Sequence, residues 1–127
     1  MRILLDTHVV FCATMKPGLI SAPARAAMES ASYVAASAAT AWEIATKVRL
    51  GKWEDARPFI AKYSEYISAF GIDDLPVLSD HARHAGVLSG TNKDPFDRIL
   101  VAQAELEGLR LVSADGNLKD FAIDIIW

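Results

Sequence analysis

"RILLDTHVVFCATM", residues 2–15, sets a short apolar run against an acid and then changes its period. "RILL" is a candidate buried strand, and "THVVFCATM" after Asp6 has the apolar spacing of a helix. The same alternation recurs along the chain. "YVAAS" (33–37) leads into "AATAWEIATKVRLGK" (38–52), where Ala, Glu and Lys favour helix and Gly51 falls at the C-terminal cap. "IDDLPVL" (72–78) is strand-like and precedes a short helix, "SDHARHAGVL", capped by Ser79 or Asp80. "LRLVSAD" (109–115) reads as a strand ending in a turn, and "FAIDIIW" (121–127) as a last strand. Between them, "SAPARAAMES" is expected to be helical with Ser21 as N-cap and Pro23 in the first turn. Strands alternating with helices imply parallel pairing through right-handed crossovers. The expectation is a three-layer α/β domain, a short parallel sheet flanked by helices, with its site beyond the carboxyl ends of the strands.

At 127 residues, 52% hydrophobic and 23% charged, the chain fits one domain, residues 1–127, with a real core. The longest uncharged run, Ala31 to Trp42, is shorter than the roughly 20 apolar residues that span a bilayer. The N-terminus has no long apolar run of the kind that marks a signal peptide, so no membrane partner and a cytoplasmic location are expected. Cys12 is the only cysteine, which excludes an internal disulfide and a thiolate cluster. A net charge of −3 gives no electrostatic footprint for nucleic acid. A polyanionic substrate would therefore need local cations. "DARPFIAKYSEYISAF" (55–70) spaces Phe59, Ile60, Tyr63, Tyr66, Ile67 and Phe70 as one apolar helical stripe, which serves either the core or, with Trp42 and Trp53, a partner.

Four acids carry the chemistry, and each also has a local explanation. Asp6 could cap the helix that follows it. Glu43 stands four residues before Lys47, the favourable order for a surface ion pair. Asp97 follows Asp94 and Pro95 in an arrangement close to a capping box, with Asp94 the better cap. Asp115 precedes a glycine and could be a turn residue. Their common location favours a site, because Asp6 and Asp115 leave strand ends while Glu43 and Asp97 begin helices that a crossover can bring to the same edge. Two unit charges about 4 Å apart repel by about 4 kcal/mol at an effective dielectric near 20, so such a cluster asks for protons or a cation. An all-oxygen set suits Mg²⁺ or Mn²⁺, which also bind phosphate oxygens. Phosphodiester hydrolysis follows from that chemistry. His81 and His84, three apart on an expected helix, lack partners for a zinc set and are expected to be exposed. No G-x-S-x-G and no phosphate-cradling glycine loop occurs.

Together "LLDTHVV", "SAATAWEIATK", "KDPFDRILVAQAELEGLRLVSAD" and the closing "IIW" resemble the PIN-domain family, and within it the VapC-type toxins of bacterial toxin–antitoxin pairs. The resemblance runs essentially end to end. It implies a single PIN-like domain, an Mg²⁺- or Mn²⁺-dependent endoribonuclease, a homodimer, and inhibition by a VapB-like antitoxin. Its acidic positions fall on Asp6, Glu43, Asp97 and Asp115, as catalytic and metal-binding residues, and its hydroxyl positions on Thr7 and Ser113. In the mechanism expected here Asp6, Asp97 and Asp115 hold the cation and Glu43 handles the attacking water. Lys47, Arg49, Lys52, Lys93 and Arg98 are the candidates to hold RNA. Asn92 stands where close relatives often have histidine, and "VVFC" where a tryptophan is common. Two other readings are a metal-dependent phosphatase with Asp6 as nucleophile, which lacks its usual second aspartate because His8 is there, and a silent RNA-binding regulatory domain, which would have lost an acid.

Overall fold

The computed structural model describes residues 1–127. Its centre is a five-stranded, wholly parallel sheet of β1 (Arg2–Leu5), β2 (Tyr33–Ser37), β3 (Asp73–Leu75), β4 (Arg110–Val112) and β5 (Ile125–Ile126), in the order β3-β2-β1-β4-β5. The helices are α1 (Thr7–Met15), α2 (Ala22–Ser30), α3 (Ala38–Arg49), α4 (Arg57–Ala61), α5 (Tyr63–Ala69), α6 (Ser79–Val87) and α7 (Pro95–Glu107). Both faces of the sheet are covered. In β1, Ile3 and Leu5 enter a core with Val9, Phe11, Ile44 and Phe59, while Leu4 enters a second core with Leu100, Val101 and Leu111. The two-residue period of the strand thus feeds two layers, as parallel sheets require. The expected α/β architecture is what the chain adopts.

The local signals hold in most places. Ser21 Oγ accepts from the Ala24 N–H at 3.3 Å, and Asp94 Oδ1 accepts from the N–H groups of Phe96 and Asp97 at 2.8 and 3.3 Å, each just before a proline in the first turn. Gly51 follows α3 in the left-handed conformation, φ 71°.

Four expectations need correction. The stripe over 55–70 is not one helix: a short 3-10 turn at Glu54–Ala56 precedes α4, and the chain breaks at Lys62, φ −129°. The break brings the rings of Phe59, Tyr63 and Tyr66 together, with Phe59 centred 5.4 and 5.6 Å from the other two. Phe59, Tyr63 and Ile67 are buried, so the stripe is core, and Phe70 at its end is exposed. Neither Ser79 nor Asp80 caps α6. Instead the Leu78 N–H donates to Nδ1 of His81 at 2.9 Å. For that bond His81 is buried, not exposed, and its Nε2 meets Glu107 Oε1 at 2.7 Å, tying α6 to α7. The outer strands are also shorter than their apolar runs: β3 stops before Pro76, which has no N–H for the ladder, and β5 keeps two residues.

Candidate active site

β1 lies between β2 and β4, so the strand order reverses beside it, and the carboxyl ends of β1 and β4 face a crevice. Asp6 ends β1. Its Oδ1 accepts from the Val9 N–H at 2.9 Å, capping α1, and its Oδ2 accepts from the Ser113 hydroxyl at the end of β4. Burial raises the Asp6 carboxyl above its ordinary range, and the nearby Asp115 charge adds to the rise, against the Ser113 and Val9 hydrogen bonds. One side chain therefore both caps α1 and ties the end of β1 to the end of β4.

Glu43 is not on a solvated face. It is 7% exposed, with Oε1 accepting from Thr7 Oγ1 at 2.6 Å and Oε2 from Lys47 Nζ at 2.7 Å. Ser37, at the end of β2, starts this helix by accepting from the Ala39 N–H at 3.0 Å, and so sets Glu43 two turns in at the sheet edge. Thr7 Oγ1 also lies 3.3 Å from Thr40 Oγ1. Thr40 was missed from sequence, although Ser37, Thr40 and Glu43 share the three-residue spacing of one helical face.

Asp97 is half-buried one turn into α7 and accepts from Asn92 Nδ2 at 3.0 Å. Burial pushes its carboxyl up to about 6, helped by the charges of Asp94, Asp115 and Glu43 and opposed by the Asn92 hydrogen bond. Asp115 is exposed. It caps a 3-10 turn at Gly116–Asp120 by accepting from the Asn117 N–H at 2.9 Å, while its own N–H donates to Ser113 Oγ at 2.9 Å.

Asp6, Thr7, Glu43, Lys47, Asp97 and Asp115 line one cavity of about 190 Å³, together with His8, Asp94, Leu100 and Asn117. A second, wholly polar trench of about 550 Å³ continues from it past Asp94, Asp97 and Asn117 to Asn92, Lys119 and Asp120. No three acidic, histidine or cysteine side chains stand close enough to form a ready-made metal shell. The donors are nonetheless all oxygen, and the raised carboxyls of Asp6 and Asp97 record burial and like charge that a cation would offset. They fit a hard cation such as Mg²⁺ or Mn²⁺ that keeps several of its own waters.

The basic candidates divide. Lys47 is committed to Glu43 and lies 5.8 Å from the Trp53 ring. Arg49, Lys52 and Lys93 are exposed. Arg98 turns inward: its guanidinium donates to the carbonyls of Ala85 (2.8 Å), Asn92 (2.9 Å) and Leu88, so its donors are engaged within the fold. Lys119, absent from the sequence-derived set, lines the trench.

The sequence profile of the PIN domain family matches residues 3–124. The chain belongs to the PIN domain family. The PIN domain is similar to Ribonuclease VapC22 of Mycobacterium tuberculosis (strain ATCC 25618 / H37Rv), at 29% identity over 120 residues, 92% of this chain and 89% of that protein. Among solved structures it is similar to VapBC2 from Rickettsia felis bound to a DNA fragment from their promoter, with a TM-score of 0.64 at 14% identity over 100% of both chains. FitAB bound to an IR36 DNA fragment gives a TM-score of 0.64 at 20% identity, covering 97% of this PIN domain and 92% of that chain. A toxin–antitoxin complex from Klebsiella pneumoniae gives 0.54 at 20% identity, covering 94% and 90%. At such identities these structures establish the shared PIN fold. No helix of the chain is long and apolar enough to cross a membrane.

Proposed function

We propose that this PIN domain is a metal-dependent endoribonuclease and the toxin of a VapBC-like pair. The observation that carries the reading is that Asp6, Glu43, Asp97 and Asp115, which come from four separate segments, line one cavity at the sheet's switch point.

Asp6, Asp97 and Asp115 would hold Mg²⁺ or Mn²⁺, with Glu43 lining the same cavity. When bound, the cation supplies charge for the scissile phosphate and lowers the pKa of water. The chain's own groups do the rest. Glu43, tied at Oε1 by Thr7 and at Oε2 by Lys47, is oriented to accept the proton of the attacking water. Ser113 fixes the Asp6 carboxylate by donating to it. Attack in line on phosphorus breaks the bond to the 3′ oxygen, which takes a proton, and leaves a 5′-phosphate and a 3′-hydroxyl. Arg49, Lys52 and Lys93 supply the local positive charge that a chain of net charge −3 otherwise lacks. A VapB-like antitoxin is the proposed partner, in keeping with the toxin–antitoxin complex among its structural relatives, and a second copy of the chain is proposed beside it. Trp42, 63% exposed and edge-on to Phe96 at 4.8 Å, offers apolar surface beside Glu43 and Asp97 for one of them.

The test is incubation of the purified chain with structured RNA and Mg²⁺ or Mn²⁺, beside an Asp97→Asn variant and a chelator control. Cleavage by the wild type alone, lost on chelation, is expected. Cleavage that survives Asp97→Asn or chelation sinks the assignment, and a stable phospho-Asp6 would favour a phosphatase.

A further inference from the structure

We propose that Asn92 and Asp120 form a clasp that holds Asp97 and Asp115 in register at the cavity both line, with Asn92 the positioning residue for Asp97. This inference deepens the proposed function and rests on it.

Asn92 uses every polar group it has. Nδ2 donates to Asp97 Oδ2 at 3.0 Å and to the Asn117 carbonyl at 3.3 Å. Oδ1 accepts from the Asp94 N–H at 2.8 Å, and the backbone carbonyl accepts from Arg98 Nη1 at 2.9 Å. The backbone N–H donates to Asp120 Oδ2 at 2.6 Å. One amide thereby touches the segment before α7, the first turn of α7 and the turn that Asp115 caps.

Asp120 closes the other side. Its Oδ2 also accepts from the Thr91 N–H at 2.9 Å and from Thr91 Oγ1 at 2.6 Å. Asp120 ends the 3-10 turn whose cap is Asp115, so its three bonds tie the Asp115 segment to the Asp97 segment. Gly90 permits this approach, because it sits at φ 116°, where side chains are strained, and a Cβ there would lie 3.3 Å from the Asp120 carbonyl.

The chemistry of the contact suits a ligand more than a salt bridge. Asn92 Nδ2 is the hydrogen-bond donor to the Asp97 carboxylate, and it engages Oδ2 while Oδ1 has no partner. A neutral amide orients the carboxylate without bringing a positive charge that would compete with a cation. Partners that orient metal ligands in this way matter by about 10- to 100-fold in metal affinity or activity.

The experiment measures Mn²⁺ affinity by paramagnetic resonance of the free ion, kcat and KM on one RNA, the thermal midpoint, and amide exchange at Thr91 and Asn92. Asn92→Ala is expected to weaken Mn²⁺ binding and lower kcat, each about tenfold or more, with KM within about twofold. Asp120→Ala should do the same and speed exchange at both amides, while Asp120→Asn, which keeps an accepting oxygen, should restore most of the loss. If Asn92→Ala does not fold, Asn92→Ser takes its place, since a serine can still accept from the Asp94 N–H but cannot reach Asp97. Wild-type Mn²⁺ affinity and kcat in folded Asn92→Ala or Asn92→Ser overturn the clasp alone. So does a loss that follows the thermal midpoint through every variant. A wild-type chain that binds no Mn²⁺ overturns the proposed function, and the clasp falls with it.

Discussion

The Ser113 hydroxyl donates to Oδ2 of Asp6 and accepts from the Asp115 N–H, so one side chain joins the ends of β1 and β4 and two of the four acids. Residues 107 apart in sequence meet there because β1 and β4 are adjacent and parallel, with Leu5 paired to Val112.

Ser113→Ala leaves a buried Asp6 carboxylate oxygen without its donor. The expected cost is about 1–3 kcal/mol of stability, together with weaker cleavage. Urea unfolding of the metal-free variant at pH 7 checks it, and an unchanged midpoint would show that the hydroxyl does not support Asp6.

The Asp97 carboxyl is pushed up to about 6 from the ordinary 3.8, which fixes the sign of its contribution to stability. Between those values the folded chain binds more protons than the unfolded one. Metal-free stability should therefore fall as pH rises through that window, with the full penalty present above it. Because the group is only half-buried, solvent screening reduces the effect to the order of 1 kcal/mol. Asp97→Asn should remove this slope and stabilise the metal-free chain at pH 7 while abolishing cleavage. Chemical denaturation in chelator at pH 4.5 and 7.0 reads both effects.

Asp94 and Asp97 divide the labour of one helix start. Asp94→Ala removes the cap that accepts from Phe96 and Asp97 and should cost about 0.5–2 kcal/mol, with modest effect on cleavage. Asp97→Asn should mainly cost activity. Equal loss of cleavage at full stability in both variants would show the division to be wrong.

Arg98 and the exposed cations should separate by salt dependence. Arg49→Ala, Lys52→Ala and Lys93→Ala should weaken RNA binding and each flatten its salt dependence, by a slope of about 0.7 for every single-strand phosphate that the variant no longer neutralises. Arg98→Ala should instead lower the thermal midpoint, because three backbone carbonyls lose a charged donor. A flattened salt slope at an unchanged midpoint for Arg98→Ala would keep it in the RNA-binding set.

Much of this protein was legible in the chain itself. The change of period at Asp6, the caps at Ser21 and Asp94, and Gly51 after α3 are written within a few neighbouring residues, and hydrophobic periodicity and capping act at that range. From them came the parallel α/β sheet, and from the rule for sites in such sheets came the convergence of the four acids. What only the tertiary structure decided depends on pairs far apart in sequence. Glu43 reads as a surface ion pair until Thr7, 36 residues away, meets it in the interior. His81 reads as exposed until α7 brings Glu107 against it. Arg98 reads as a candidate RNA contact until the carbonyls of Ala85 and Leu88 close around it, and Asn92 only as a departure from the family's usual histidine until the turn ending at Asp120 arrives beside it. The physical reason is the same in each case: a lone polar side chain is equally content in water, and only docking of the crossovers removes the water and leaves a protein group as its partner.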